Sequence, residues 1–170
     1  MTFFIFLLLF ILGQRLFEIH LAKKNERWMK EKGAIEVASD HYKWFIWLHT
    51  LFFISLILEV SLQSVQHNLT VNWFFLWIFI LMQIGRAWCI LSLGKFWNTK
   101  IIVLPNVVLL KKGPYRWLKH PNYIIVLIEL FVIPIMFHAY ISAVLFPTLH
   151  ILLLTIRIPA EEEALGDNLY

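Results

Sequence analysis

Two stretches hold most of the residues able to do chemistry. The first is GPYRWLKHPNY, Gly113 to Tyr123, and the second is RIPAEEEAL, Arg157 to Leu165. In the first, Pro121 suits the opening position of a helix, which places His120 at its cap. The N–H groups of a first helical turn lack intrahelical partners and, with the helix dipole, attract anions. Lys119 and Arg116 add positive charge, His120 adds a ring donor, and Tyr115 and Tyr123 add flat faces and hydroxyls. Such a set suits a small ligand with a carboxylate or phosphate and an aromatic ring. The plainer account of the same residues is a basic loop beside a proline-initiated helix, since basic loops flank many membrane spans.

In the second stretch Pro159 is expected to open a short helix, with Glu161, Glu162 and Glu163 in its first turn to complement the dipole. That account leaves unexplained why acidic residues gather beside a basic loop. If the segments between the two stretches form a tight hairpin, Arg116, Lys119 and His120 face Arg157, Glu161 and Glu162 across a short gap. A pocket of that kind suits a zwitterion. A surface salt-bridge cluster, contributing little to stability, is the alternative.

Two more ionisable residues lie inside the hairpin. Glu129 is seven residues after Asn122, and His150 is seven before Arg157. At 1.5 Å per residue each lies about 10 Å from its cytoplasmic end. Ionisable groups at membrane depth are costly and are paired or functional. Glu129 therefore bonds His150, pairs with Arg86 or Gln83 of the preceding span, or handles a proton. Arg15 and Glu18, three apart, read as an ordinary ion pair.

The elements that must position these residues are apolar. The chain of 170 residues is 60% hydrophobic, against about 45–50% in soluble domains. Five apolar segments are readable: Phe3–Phe17, Tyr42–Val60, Val71–Ile90, Asn122–Phe137 and Tyr140–Ile156. The expected fold is an all-α integral membrane protein of about five transmembrane helices, the last two a tight hairpin. The run IIVLPNVVLL before it reads as a small cytoplasmic β-hairpin around a Pro-Asn turn. One domain spans 1–170, with the chemistry mainly in 86–165. Seven Lys and Arg lie from Arg15 to Lys43, seven from Arg86 to Lys119, and none in Ser61–Thr70. The positive-inside rule then puts the N-terminus outside and both basic loops and the C-terminus in the cytoplasm. The net charge of +4 is therefore topological and argues against nucleic acid as a partner. A lone cysteine, Cys89, excludes an intrachain disulfide and a cysteine-based zinc site. The histidines show no metal-ligand spacing, and no obligatory protein partner is evident.

Together the two stretches resemble the paired signature of the isoprenylcysteine carboxyl methyltransferase family, roughly GxYxxxRHPxY, a hydrophobic hairpin, then RIxxEExxL. Gly113, Tyr115, His120, Pro121 and Tyr123 match the first part; Arg157, Ile158, Glu161, Glu162 and Leu165 match the second. Lys119 replaces an arginine, and Ile125 stands where the family commonly has glycine. The likeness is greatest to the family's short bacterial branch. It implies a methyltransferase of the bacterial cytoplasmic membrane, using S-adenosyl-L-methionine without a Rossmann fold, which agrees with the lack of a G-x-G-x-x-G. The methyl acceptor would be a lipophilic small molecule from the bilayer, with membrane lipids around it. His120, Lys119 and the adjacent backbone would bind the cofactor, Tyr115 and Tyr123 would line its pocket, and Glu161 or Glu162 would hold its ammonium. Arg157 would orient the acceptor's anionic oxygen. A carboxylate acceptor, as in isoprenylcysteine, is already ionised. An acidic enol or phenol, as in alkylpyrone-like polyketides, would need Glu129 or His150 to take its proton. Membrane sterol reductases, which use NADPH, share an HPNY-like phrase but follow it closely with Gly-Glu. A membrane scaffold is the non-enzymatic alternative.

Overall fold

The computed structural model describes residues 2–66, 70–105, 107 and 112–166. Its helices are α1 (Thr2–Glu31), α2 (Ser39–Gln66), α3 (Trp73–Leu93), α4 (Pro121–Met136) and α5 (Tyr140–Leu165). All but α4 are long and apolar enough to cross a bilayer. This is an all-α multi-pass membrane protein, as composition led one to expect.

α1 runs far beyond Phe17. Its buried residues Phe4, Leu7, Ile11, Glu18, Ala22, Asn25 and Met29 recur at three- and four-residue spacing, so one stripe faces inward along its whole length. No proline interrupts it, and Gly33, at φ +88°, ends it. The Ala34 N–H closes that turn on the Met29 carbonyl at 3.1 Å. Asn25 Nδ2 donates to the carbonyls of Gly94 and Trp97, at 3.1 and 2.7 Å. The extension is thereby tied to the chain that leaves α3.

α4 is the innermost helix. Nine of its 16 residues are buried, and α3 and α5 flank it. Ile125 is among the buried ones. A Cβ added at Gly85 of α3 would lie 3.4 Å from Ile125 Cδ1. The close approach that a glycine on α4 would permit is thus supplied from the facing helix.

α5 departs from expectation. It is one continuous helix to Leu165 with Pro147 and Pro159 inside it, not a span followed by a second helix opened at Pro159. A proline removes its own N–H and strands one carbonyl a turn earlier, and a helix packed among neighbours tolerates that. The N-terminus of α5 is capped from outside. The N–H groups of Ile141 and Ser142 each donate to the Glu59 carboxylate of α2 at 3.0 Å, and the Ser142 hydroxyl does so at 2.8 Å. Gln63 Nε2 donates to the His138 carbonyl at 2.9 Å, fixing the turn where His138 takes φ +62°.

The second run of the expected β-hairpin falls, but for Val107, outside the described residues. Its first run forms β2 (Ile101–Val103), which pairs antiparallel with β1 (Ile35–Val37), with Glu36 opposite Ile102. Charge and burial agree in that pairing. Lys100 bonds Glu26 and Glu36 at 3.1 and 3.2 Å, while Ile101 and Ile102 are buried.

Candidate functional site

The turn Gly113–Arg116 is pressed against α3. Gly113 sits at φ +57°, and a Cβ there would lie 2.0 Å from Ser92 Oγ and 3.0 Å from Trp88 Nε1. Only glycine fits both the conformation and the space. Tyr115 is thereby held inward, its hydroxyl against the Cys89 thiol. Burial first, then Cys89 and Glu161, hold this phenol well above its ordinary range, so it stays protonated.

α4 begins at Pro121 with His120 at its cap. The His120 side chain makes no bond to its own helix and reaches α5 instead. Its Nε2 is 3.3 Å from Glu162 Oε1, and its Nδ1 is 3.7 Å from Glu161 Oε2. Lys119 Nζ lies 3.4 Å from Glu162. The Tyr123 hydroxyl donates to Glu161 at 2.6 Å, and the rings of His120 and Tyr123 stack at 5.5 Å. Behind Tyr123, Arg157 donates through Nε to the Tyr123 oxygen at 3.1 Å. Its Nη2 donates to the Thr99 carbonyl at 2.8 Å. Its guanidinium also lies 5.2 Å over the Phe45 ring. The two ends of the hairpin are therefore clamped together by side chains of both motifs.

Tyr115, Lys119, His120, Tyr123 and Glu161 line one open cleft. Its remaining wall is largely apolar, with Ile101, Ile102 and Leu165 contributing. Glu162 bears on the cleft through His120, and Arg157 through Tyr123. Arg116 stays exposed, and no contact among the described residues joins it to the glutamates. Asn122 was not singled out in the sequence, although it stands between two motif residues. It lines the cleft, and its Oδ1 is buried without a partner among the described residues. A buried acceptor left open is costly unless a ligand or water meets it. The cleft thus brings carboxylate and amide acceptors together with Lys119 and His120 in one polar cluster, beside a largely apolar wall.

Glu129 lies elsewhere. Its Oε1 accepts from Gln83 Nε2 at 2.8 Å and from Arg86 Nε at 3.1 Å. Its Oε2 accepts from Arg86 Nη2 and Arg15 Nη2. Glu18 completes the cluster, 2.6 Å from Arg15 Nη1 and 3.4 Å from Arg86 Nη1. Of the partners weighed for Glu129, Arg86 and Gln83 are the ones it takes. Arg15 and Glu18 are not an isolated surface pair but half of a buried four-charge network across α1, α3 and α4. His150 is 1% exposed. Its ring meets Phe45 edge-on at 5.8 Å, and neither ring nitrogen finds a bonded partner among the described residues.

The structure is a multi-pass bundle whose last two helices are joined by side chains at one end, beside an open cleft. A family model described as Isoprenylcysteine carboxyl methyltransferase (ICMT) matches residues 73–167. The chain is 43% identical over 166 residues to the uncharacterized protein YpbQ of Bacillus subtilis (strain 168), covering 95% of each. It is 26% identical over 157 residues to an uncharacterized protein of Haemophilus influenzae, covering 92% of this chain and 91% of that one. No solved structure gives a significant match. The chain belongs to the isoprenylcysteine carboxyl methyltransferase family, whose members are membrane methyltransferases that use S-adenosylmethionine.

Proposed function

We propose that this protein transfers a methyl group from S-adenosylmethionine to an oxygen of a lipophilic acceptor at the cytoplasmic face of the membrane. The observation that carries the reading is the clamp joining the start of α4 to the end of α5, with the unpartnered Asn122 Oδ1 inside its cleft. The residues present fit the cofactor. Glu161 and Asn122 Oδ1 would accept from its ammonium. His120 and Lys119 would donate to its carboxylate, and the apolar wall with Tyr115 would take its adenine. Glu162 would hold His120 in place, and Tyr123 would close the inner wall.

When bound, the cofactor supplies a methyl carbon attached to a positively charged sulfur, ready for in-line displacement. What the chain must add is position and dryness. Met29 of the α1 extension and the β2 residues wall the cleft and would limit water. Arg157 spends Nε and Nη2 on Tyr123 and Thr99, which leaves Nη1 to orient the acceptor's oxygen. Acceptors that suit a bilayer-facing site are an isoprenylcysteine-type carboxylate or the acidic hydroxyl of an alkylpyrone-like polyketide.

Ligand-dependent melting in detergent tests the cofactor. S-adenosylhomocysteine should raise the midpoint and NADPH should not; the reverse result would sink the reading. Mass spectrometry of lipid extracts made with and without the protein should then reveal a species heavier by one methyl group.

A further inference from the structure

Arg157 is 4% exposed, and no carboxylate lies at ion-pair distance from it among the described residues. A buried charge must be met by something. Three groups meet this one: the Tyr123 oxygen, the Thr99 carbonyl and the face of the Phe45 ring, 5.2 Å from the guanidinium carbon. An aromatic face attracts a cation, most strongly where water is excluded. The Phe45 ring is itself held, since the His150 ring lies against it at 5.8 Å and 88°.

Phe45 belongs to α2, which ends before residue 73, where the family match begins. The same helix reaches the guanidinium by a second route. The Tyr42 hydroxyl lies 3.3 Å from Thr99 Oγ1, and the Thr99 carbonyl is the group that takes Arg157 Nη2. Arg157 is thus pinned from behind by a helix that carries neither motif.

Where Arg157 is held decides which way a hydroxyl turns. Its Nε can only donate. It donates to the Tyr123 oxygen at 3.1 Å, so the Tyr123 proton has to point elsewhere, and Glu161 Oε2 stands 2.6 Å away to take it. A cation behind the phenol strengthens the bond in front of it. Glu161 is thereby anchored through Oε2, and its Oε1 has no hydrogen-bond partner among the described residues. Tyr123 and Glu161 both line the cleft, and Phe45 does not.

Resting on the methyltransferase reading, we infer that Phe45 is a positioning residue of the cofactor cleft. Its ring holds the Arg157 guanidinium behind Tyr123. That turns the Tyr123 hydroxyl onto Glu161 Oε2 and keeps Oε1 for the ammonium of the cofactor. Phe45 touches neither cofactor nor acceptor, and acts through Arg157, Tyr123 and Glu161 in turn.

The test is calorimetry of S-adenosylhomocysteine on the full chain in detergent, with phenylalanines carrying one, two and three ring fluorines in place of Phe45. Fluorine draws negative charge from the ring face and leaves its shape almost unchanged. Affinity should fall with each fluorine, by about three- to tenfold at three, while circular dichroism keeps its helical content. In Tyr123→Phe, which lacks the hydroxyl that carries the effect, the same series should be flat. Should Tyr123→Phe bind too weakly for calorimetry, displacement of tritiated S-adenosylmethionine extends the range. A flat series in the parent chain, or an equal slope in Tyr123→Phe, would overturn the assignment. A loss of affinity in Phe45→Leu beside a flat fluorine series would do the same, since the ring then only fills space. If the chain with three fluorines does not fold, those with one and two decide. A wild-type chain that does not bind S-adenosylhomocysteine would sink the methyltransferase reading and the role of Phe45 with it. Binding with a flat series removes the role of Phe45 alone.

Discussion

Arg86 and Glu129 meet across the α3–α4 interface as a two-point ion pair. Nε donates to Oε1 at 3.1 Å and Nη2 donates to Oε2, with both side chains 2% exposed. Removing Glu129 leaves Arg15 and Arg86 to share the single carboxylate of Glu18, one buried positive charge in excess, and breaking a buried pair in this way costs about 3–5 kcal/mol. Glu129→Ala should therefore lower the melting midpoint in detergent markedly. The double replacement Arg86→Leu with Glu129→Leu should regain much of the loss. If the double variant melts as low as the single one, the pair is not the source of the effect.

His120→Ala removes one of the links from the start of α4 to Glu161 and Glu162, leaving those of Lys119 and Tyr123. Hydrogen bonds to charged groups contribute about 1.5–3 kcal/mol, so S-adenosylhomocysteine should bind about ten- to a hundredfold more weakly by calorimetry. Unaltered affinity would remove His120 from the proposed cofactor set.

Arg157→Lys keeps the charge and loses the planar fork that reaches Tyr123 and Thr99 together. Turnover should fall further than cofactor affinity. Equal losses would mean that Arg157 supports the cleft as a whole and does not orient the acceptor.

Gly113→Ala should be severe for its size. The added carbon meets Ser92 and Trp88 in a backbone conformation that alanine disfavours. The turn carrying Tyr115 must move, so cofactor affinity should drop at least about tenfold while circular dichroism keeps its helical content. Retained affinity would show that the turn can shift without disturbing the cleft.

Glu59→Gln serves as the contrast. It weakens the cap on α5 far from the cleft and should cost about 1–2 kcal/mol of stability. Cofactor affinity should hold, and a large loss of it would reveal coupling along α5 to Glu161.

Much of this was legible in the sequence, for identifiable reasons. Span hydrophobicity and the two polar motifs are local signals, so the bundle and the clamp could be read from residue order. His120 opposite Glu161 and Glu162 follows from a tight hairpin alone. The four-charge network was half visible, because Arg15–Glu18 announces itself by spacing. The bond from Arg15 to Glu129 spans 114 positions, and only packing creates it. β1 is three residues long, too short for alternation to mark, and its partner lies in another loop. The continuity of α5 was hidden because Pro159 reads as a helix start when its neighbours cannot be seen. Glu59 capped a helix 82 residues away and gave no local sign.

α4 is also the shortest helix, at 16 residues, or about 24 Å against a hydrocarbon thickness of about 30 Å. A helix sheathed by its neighbours has no need to match the lipid around it, so the deficit goes uncorrected. On the proposed function, a reaction centre built on its proline-led first turn would be countersunk among the longer helices, within reach of a molecule that never leaves the bilayer and open to one dissolved in water.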